Sequence, residues 1–443
     1  MSDVDRILDD WSKQDVRYIR FELPDMHGLS RSKTVPIEHA GRFAERGLNM
    51  YGGASVLDTA DSVVSGTLYN EEVKYRDQFL HPDADSAAIV PWVAHTGRFI
   101  CDTRWHDGTP LGAAPRNVFR SVLDRAREMG YEPVMGSEFE FYLLDAVTKE
   151  RLFPDFHIFN TVRNDWVPTV RRILDELPQM GVSIITANCE YAASQWEINF
   201  SPGRALEGPD IAFTFKNGVK EIAKQDGLIA SFMSKPFWGA SGSGCHTHMS
   251  LVRIDDDGNA FGDPDDPQGI SEVCRSFIGG ILRYAKAIDP LMLPTVNCYR
   301  RRRPHTFSPT NVSWGLEDRT ALVRVKGFGP VESRHIEYRA PTALSNPYLV
   351  GAGMLAAGLR GIEEKIDPGA PSKADTVAEG DPDFEPLPSS LPEALDAFES
   401  DPASKEFFGD EFVTAYSAMK RFELSRFNDW VTDWERNEYL EVY

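Results

Sequence analysis

The sequence predicts an α+β protein in which a small strand-rich N-terminal unit precedes a larger mixed unit. The chain has 443 residues, which suggests about two to three packing units at typical domain sizes. From Tyr131 onward, patterns typical of strands and helices interleave without a regular βαβ alternation. Hydrophobic residues make up 42% of the chain and aromatic residues 11%, which excludes wholesale disorder.

The first hundred residues predict one helix and several short strands. Residues 16–23 alternate as a strand, a turn follows at 24–28, and residues 29–35 are expected to return as the hairpin partner. The polar stretch from Gly52 to about residue 85 predicts loops. A helix is expected over residues 1–11, where apolar side chains recur at helical spacing at Val4, Ile7, Leu8 and Trp11. Two further strands are expected at 88–92 and 98–102.

Helical patterns dominate the rest of the chain. Pro115 opens a predicted helix over 115–129. Residues 366–392 are rich in proline and aspartate and predict a surface excursion, after which the tail from residue 393 is again helical. Four more helices are predicted, at 167–180, 208–226, 270–288 and 346–364.

Charge and composition exclude several classes of function. Lys and Arg total 47 against 68 Asp and Glu, and the net charge of -21 makes the general surface unsuited to nucleic acid or anionic lipid. No stretch approaches the roughly 20 apolar residues of a membrane span, and the first residues lack the pattern of a signal peptide. The five cysteines are scattered without a CxxC pair, which predicts reduced thiols and a soluble, cytoplasmic protein.

The first motif with chemical content is the segment 136–142, Gly-Ser-Glu-Phe-Glu-Phe-Tyr. In a strand, Glu138 and Glu140 project to one face while Phe139 and Phe141 fill the other. Two carboxylates this close repel each other unless they are protonated or bridged by a cation. A solvated strand face with a core behind it explains the pattern equally well.

Two further segments offer metal-ligating side chains. The glycine-rich lead at 242–244 runs into an alternating strand that places His246, His248 and Ser250 on one side, although a lone His-x-His pair is more often structural. In the second segment, Glu190 and Glu197 are an odd number of residues apart, so an unbroken strand faces them oppositely. A turn through residues 192–194 brings both inward; otherwise they are ordinary exposed glutamates.

Arginine supplies most of the positive charge. Of the 47 basic residues 14 are lysine, which leaves 33 arginines, and this acid-rich, lysine-poor balance fits either a saline cytoplasm or an ordinary acidic protein. A cluster of arginines requires anions nearby to balance its charge. Three interpretations are open: bound carboxylate or phosphate ligands, surface ion pairs with acidic side chains, or an RNA-binding patch. The RNA reading is poor because no RNA-binding aromatic motif accompanies the cluster. Eight of the arginines lie between positions 300 and 339: Arg300, Arg301, Arg302, Arg303, Arg319, Arg324, Arg334 and Arg339.

Together these motifs predict one site. Carboxylates and imidazole in this proportion favour hard divalent cations, Mg²⁺ or Mn²⁺, over zinc. Arginines and a glycine-rich backbone next to such ions are suited to bind nucleotide phosphates and an acidic substrate. This combination of groups is typical of enzymes that transfer phosphoryl groups. The five carboxylates and one imidazole are Glu138, Glu140, Glu190, Glu197, Glu337 and His246.

Across nearly its whole length the chain resembles the glutamine synthetase superfamily. The resemblance rests on an ordered set of segments: 138–140, 190 with 195–197, 242–251, 297–301, 318–319, 324, 336–339 and 346–349. It implies a β-grasp N-terminal domain at residues 1–106 and a catalytic domain at 107–443, built on an antiparallel sheet with surrounding helices. It also implies a homo-oligomer, as a double-ring dodecamer with each active site between neighbouring subunits.

The resemblance also implies roles for individual residues, with two or three metal ions per site and ATP as co-substrate. By this resemblance, the ligands of the metal ion nearer glutamate are Glu140, Glu190 and Glu197. The ligands of the metal ion on the nucleotide are Glu138, His246 and Glu337. Glutamate is assigned to Arg301, Arg339 and the backbone of Gly242, and ATP to Arg319, Arg324, His248 and Ser250. Arg301, Arg319 and Arg339 are thereby the predicted catalytic arginines.

Two departures from the family pattern bear on the nitrogen substrate. Relatives that use ammonium carry an aspartate where this chain has Gly52, and a flap glutamate where it has Phe307. Without those acids the predicted acceptor is a primary alkylamine or a polyamine such as putrescine, joined to glutamate through γ-glutamyl phosphate. The alternatives are an ordinary glutamine synthetase in which Asp58 or Asp61 replaces the missing acids, and a catalytically silent binding protein.

Overall fold

Two β-sheets organise the chain, and they confirm the predicted α+β class. The structure is a computed structural model that describes residues 2–154, 158–164, 167–372 and 384–443. The N-terminal elements are α1 (Asp3–Lys13), β1 (Tyr18–Pro24), β2 (Ser30–Pro36), α2 (Ile37–Arg46), β3 (Leu48–Tyr51), β4 (Asp77–Pro82), β5 (Ala88–Ile89) and β6 (Thr96–Arg104).

The remaining elements form a larger sheet and the helices around it. The strands are β7 (Tyr131–Asp145), β8 (Ile184–Cys189), β9 (Gln195–Phe200), β10 (Gly203–Arg204), β11 (Leu228–Ser231), β12 (Cys245–Arg253), β13 (Trp314–Leu316), β14 (Val323–Lys326) and β15 (His335–Tyr338). The helices are α3 (Pro115–Glu128), α4 (Thr161–Asn164), α5 (Pro168–Glu176), α6 (Glu207–Gln225), α7 (Glu272–Arg283), α8 (Ala285–Met292), α9 (Pro347–Glu364), α10 (Leu391–Ser400), α11 (Pro402–Phe408), α12 (Asp410–Asn428) and α13 (Asp433–Tyr439).

The N-terminal sheet has the strand order β2-β1-β6-β4-β3, with β5 paired to β6. The predicted hairpin of β1 and β2 is present, and β1 pairs in parallel with β6. Helices α1 and α2 contribute Leu8, Trp11 and Ala40 to the same buried cluster as the strand residues Phe21 and Phe99. A small mixed sheet carrying helices in this way is the predicted β-grasp unit, whose boundary at residue 106 stays a prediction.

The prediction of loops from Gly52 to about residue 85 is wrong in its second half, where β4 lies between β3 and β6. The polar composition concealed the strand because some of its polar side chains are buried and form hydrogen bonds within the protein. The buried Gln78 amide, for example, donates hydrogen bonds to the carbonyl oxygens of Tyr51 at 3.0 Å and Gly52 at 3.4 Å. Residues 52–56 form a short 3₁₀ turn that leads away from β3.

Gly52 is confined by its neighbours. A Cβ atom at this position would lie 2.7 Å from the carbonyl oxygen of Arg76 and 3.0 Å from the ring of Trp105. We therefore expect Gly52→Ala to lower the free energy of unfolding by about 1–3 kcal/mol, the usual cost of overpacking. Chemical denaturation measures the change, and Gly41→Ala is the matched control because its Cβ would meet nothing closer than 3.6 Å. Equal stabilities of the two variants would contradict the packing shown here.

The larger sheet has the order β13-β14-β15-β12-β7-β9-β8, with β10 and β11 also paired to β7. It is antiparallel as predicted, except that β13 and β14 run parallel. The long strand β7 buries Phe139 and Phe141 against Phe215 of α6, at ring-centroid distances of 5.6 and 6.4 Å. The side chains of Glu138 and Glu140 therefore lie on the opposite face of β7.

The helices pack around α9, which contacts α3, α7 and α8. The single helix predicted at 270–288 is wrong: the chain breaks at Tyr284 into α7 and α8. The apolar spacing did not reveal this break because both helices bury the same kind of side chain, such as Ile281 and Ile288. Of the excursion predicted at 366–392, residues 373–383 lie outside the described residues. No helix in the described ranges is both long and apolar enough to cross a membrane.

Candidate active site

Strand register places five of the six predicted ligands in three adjacent rows on one face of the larger sheet. In the first row, Glu138 of β7 lies opposite His246 of β12 and Asn199 of β9. In the second row, Glu140 lies opposite Glu197. In the third row, on the other side of the first, His248 of β12 lies opposite Glu337 of β15. Because facing residues of paired strands share a face, residues distant in sequence become neighbours here.

Two groups of possible metal ligands share Glu138. Their ligand atoms lie within 4.8 Å of one another, and the groups are Glu138, His248 and Glu337, and Glu138, Glu197 and His246. The Nδ1 atom of His246 is 3.7 Å from carboxylate oxygens of both Glu138 and Glu337. The Nε2 atom of His248 is 3.2 Å from Glu138, but it is buried without a hydrogen-bond partner in the described part of the chain. A buried ring nitrogen beside two carboxylates fits a metal ligand.

The hairpin of β8 and β9 carries Glu190 to the same region. The predicted turn through residues 192–194 is present: Ser194 has φ of 67°, and the Glu190 amide donates to the Gln195 carbonyl at 2.9 Å. Burial raises the pKa of Glu190 to about 7, and the charge of Glu140 adds to the effect. Burial likewise raises the pKa of Glu197 to about 8, with contributions from the surrounding glutamates. The carboxylates therefore crowd one another, as the sequence predicted.

This crowding is what a divalent cation relieves, so the residues fit Mg²⁺ or Mn²⁺. Carboxylate oxygens with one or two imidazoles are a hard ligand set. Without a cation, burial and the neighbouring glutamates raise the pKa values of Glu190 and Glu197, which favours their protonated forms. Which of the six predicted ligands binds which ion stays a prediction.

A dependence of metal affinity on pH follows from those protons. Because metal binding needs ionised carboxylates, we expect Mg²⁺ affinity to rise as pH increases through about 7–8. We also expect Mg²⁺ binding to release protons below that range. The unfolded chain releases these protons near the ordinary value of 4.5, so the metal-free fold becomes less stable between that pH and about 8. Calorimetry in buffers of different ionisation enthalpy counts the protons. Mg²⁺ affinity that is independent of pH, or unaltered by Glu197→Gln, would contradict the assignment.

Glu337 lies at the centre of an arginine network and is only 1% exposed. Arg324 donates to Glu337 at 2.9 Å and to Glu317 at 2.6 Å, and Arg339 also pairs with Glu337. Burial alone raises the pKa of Glu337, but His246 and Arg339 outweigh it and hold this pKa at about 2. Glu317 was not predicted, because nothing in the sequence separates it from an ordinary surface acid.

Arg301 lies against the backbone of Gly242 and Gly244, where a side chain larger than that of glycine would meet it. A Cβ at Gly242 would lie 2.8 Å from the Arg301 side chain, and one at Gly244 would lie 2.5 Å from its guanidinium. Burial lowers the pKa of Arg301, whose Nη1 donates to the Ser308 hydroxyl at 3.2 Å. The buried Gln195 was not singled out either, and its amide donates to the Gly242 carbonyl at 3.0 Å.

Gly242 and Arg301 line a cavity of about 920 Å³ whose outer wall is aromatic. Tyr191 and Phe307 are 53% and 58% exposed, and their rings are stacked at 6.4 Å with an interplanar angle of 21°. In the described part of the chain the charged residues that line the cavity are basic, Arg151, Lys235 and Arg301. No sequence pattern pointed to Tyr191, because the position of its ring depends on the turn after Glu190.

Three further residues predicted for the site are Ser250, Arg319 and Gly52, and each lies in a different environment. Ser250 lies on β12 opposite Val134, two residues beyond His248. Arg319 is exposed and forms no hydrogen bond or ion pair with the described residues, although its charge opposes the rise in the Glu190 pKa. Gly52 does not line the cavity of its own chain. The functional roles of all three stay predictions.

Comparison with known proteins identifies the family. The glutamine synthetase catalytic domain profile matches residues 112–439, which is most of the chain. The chain belongs to the glutamine synthetase family. As a member of that family it is a ligase that forms C–N bonds, and family members use ATP and divalent metal ions.

Relatives within the glutamine synthetase family include enzymes with different nitrogen substrates in their names. The glutamine synthetase of Thermotoga maritima is 34% identical, with 99% of this chain and 98% of that protein covered. The glutamate–isopropylamine ligase of a Pseudomonas species is 32% identical over the same shares. Among solved structures, GmaS in complex with ADP superimposes with a TM-score of 0.88 at 30% identity, covering 98% of this chain and 99% of that one.

Proposed function

We propose that this glutamine synthetase family member joins the γ-carboxyl of glutamate to an amine at the expense of ATP. The acceptor is a primary alkylamine or a polyamine such as putrescine, and the reaction passes through γ-glutamyl phosphate. The observation that carries the proposal is the acid-free cavity next to Arg301, with Tyr191 and Phe307 as its aromatic wall.

The aromatic wall discriminates between amines by their apolar part. Ammonium is compact and strongly hydrated, and it needs anionic or carbonyl acceptors to replace its water. An alkylamine gains roughly 0.8 kcal/mol for each methylene group it buries, and a positively charged amine is also attracted to ring faces. Tyr191 and Phe307 offer both kinds of contact, whereas neither supplies a negative charge.

The basic side chains of the cavity suit glutamate. Arg301 and Lys235 line it directly, and Arg339 reaches its edge, where its Nη2 lies 3.5 Å from the Phe307 carbonyl. We assign the glutamate carboxylates to Arg301 and Arg339, because a guanidinium binds a carboxylate in a fixed two-point geometry. The backbone of Gly242 then lines the pocket for the amino-acid part of the substrate.

The acidic rows adjoin this pocket and suit the nucleotide. Glu140, Glu190 and Glu197 are assigned to the metal ion nearer glutamate, and Glu138, His246 and Glu337 to the metal ion on ATP. Divalent ions at such positions neutralise the charge of phosphoryl groups. His248, Ser250, Arg319 and Arg324 are assigned to ATP. The exposed guanidinium of Arg319 has no partner among the described residues, so it is free to pair with a phosphate.

The named relatives support the proposal without deciding the acceptor. The Pseudomonas relative is named for isopropylamine, whereas the Thermotoga relative is named glutamine synthetase. In an ammonia-using enzyme, Asp58 or Asp61 would replace the missing acids. In this chain Asp58 pairs with Arg426 and accepts two backbone hydrogen bonds at 2.8 Å, and Asp61 lies 2.5 Å from Arg31. Both are engaged, which favours the amine.

The active site is proposed to lie between neighbouring subunits of a double-ring dodecamer. Gly52 is a substrate-binding candidate, yet it does not line the cavity formed by its own chain, so it would act from an adjacent subunit. Light scattering after size-exclusion chromatography measures the assembly. A monomer that retains full activity would contradict this arrangement.

The function is tested by ADP release with glutamate and Mg²⁺ across a panel of acceptors. We expect turnover with methylamine, isopropylamine or putrescine to exceed turnover with ammonium. Faster turnover with ammonium than with every amine would establish an ordinary glutamine synthetase. Absence of turnover with all acceptors, despite binding of Mg²⁺ and ATP, would instead establish a catalytically silent binding protein.

A further inference from the structure

A second cavity, of about 380 Å³, lies away from the aromatic wall, where the N-terminal turn after β1 meets α6, β11 and α12. It is lined mostly by apolar side chains, among them Leu29, Ile229 and Phe232. Its volume falls within the range of small-molecule pockets, roughly 300–1,000 Å³. We refer to it as the lysine cavity, because Lys216, Lys220 and Lys420 also line it.

Two of the three ammonium groups have no anionic partner. Lys420 is paired with Glu423 at 3.0 Å. Lys216 is buried and donates to the carbonyl oxygens of Leu344 and Ser345, at 2.6 and 3.1 Å. Lys220 forms no hydrogen bond or ion pair with the part of the chain that the structure describes, and it is only partly exposed. In a chain of net charge -21, the lysine cavity therefore brings together three lysines, of which only Lys420 has an anionic partner among the described residues.

The charge of Asp25 acts on both Lys216 and Lys220, but this carboxylate is already paired. Asp25 is fully buried, but it is held by Arg31 at 2.9 Å and by the backbone amides of His27 and Leu29, also at 2.9 Å. Burial and the like charge of Lys220 together lower the pKa of Lys216 to about 7. The two lysines are four residues apart on α6, so they lie side by side on one face of the helix.

We propose that the lysine cavity binds a small organic carboxylate with an apolar body, its head group between Lys216 and Lys220. The carboxylate supplies the anion that these side chains lack, and the apolar walls accept the rest of the molecule. A single negative charge is favoured over a phosphate, because burying a second charge among apolar side chains is costly. This site is separate from the proposed ligase reaction and stands or falls independently of it.

The test uses hexanoate as the carboxylate and 1-hexanol as the matched neutral molecule. Calorimetric titration is carried out with saturating glutamate, so that Arg301 is not the binding group. We expect hexanoate to bind at least about tenfold more tightly than hexanol, the usual effect of a charge-assisted contact. This comparison uses only the unaltered protein. Equal affinities, or no hexanoate binding at millimolar concentration, would overturn the proposal.

Variants locate the binding site. Lys220→Met keeps the aliphatic stem and removes the charge, so hexanoate affinity is expected to fall about tenfold. The control is Lys224→Met, one turn further along α6, where the side chain is exposed. Its hexanoate affinity is expected to equal that of the unaltered protein. A loss of affinity that is the same in both variants, or absent from Lys220→Met, would overturn the assignment to this cavity.

Discussion

Replacing Glu337 by alanine is expected to lower turnover by about 10²–10³-fold, comparable to the loss of a group that stabilises charge in a transition state. Glu337 is buried beside His246 and accepts hydrogen bonds from Arg324 and Arg339. Its removal leaves two buried guanidinium groups without their shared anion, which costs about 3–5 kcal/mol of stability in comparable sites. ADP release and denaturant unfolding measure the two effects.

Two further variants separate chemistry from folding. Glu337→Gln keeps the shape of the side chain and one hydrogen-bond acceptor oxygen while removing the charge. We therefore expect a folded protein with a similar loss of turnover and with weaker binding of Mn²⁺ and ATP. Glu332→Gln, an exposed glutamate in the turn before β15, is the control and is expected to behave like the unaltered protein. Full turnover in Glu337→Ala would contradict the metal and nucleotide assignment.

Replacing Phe307 by glutamate is expected to shift the acceptor preference towards ammonium. The ratio of kcat/KM for ammonium to kcat/KM for an alkylamine should rise about tenfold or more, which corresponds to about 1.4 kcal/mol of differential binding. The new carboxylate lies in the acid-free cavity and attracts ammonium, while the apolar contact with the alkyl group is lost. Steady-state kinetics with both acceptors measure the ratio.

The controls for Phe307 are chosen to isolate the charge. Phe307→Leu keeps an apolar wall and should retain the preference for alkylamines, and Phe427→Glu places the same charge on α12, away from the cavity. Pairing Phe307→Glu with Gly52→Asp is uninformative, because any side chain at position 52 would meet the Arg76 carbonyl. An unchanged ratio in Phe307→Glu would show that the acceptor is selected elsewhere.

The alternation of side chains along a strand was readable from the sequence, and the pairing between strands was not. The spacing of Glu138 and Glu140 predicted a shared face, which the structure shows. That His248 lies opposite Glu337, and Glu138 opposite His246, depends on the register of β7, β12 and β15. Register follows from long-range packing, so a local pattern carries little information about it.

The features that the sequence missed are those in which tertiary contacts override local composition. The strand β4 was hidden by polar residues such as Gln78, whose hydrogen bonds are made inside the fold. Tyr191 was overlooked because its ring reaches Phe307 only after the turn at Ser194. The close packing around Gly52 likewise comes from Arg76 and Trp105, which are distant in sequence.

A competition between acceptors in one reaction tests both the ligase reaction and its specificity for amines. Purified protein is incubated with glutamate, ATP, Mg²⁺ and equal concentrations of ammonium and isopropylamine, and the products are separated by mass. We expect γ-glutamylisopropylamide to accumulate well above glutamine, with ADP formed in an amount equal to the two products together. Glutamine as the main product would contradict the amine specificity, and ADP formation that persists without any acceptor product would contradict the ligase reaction itself.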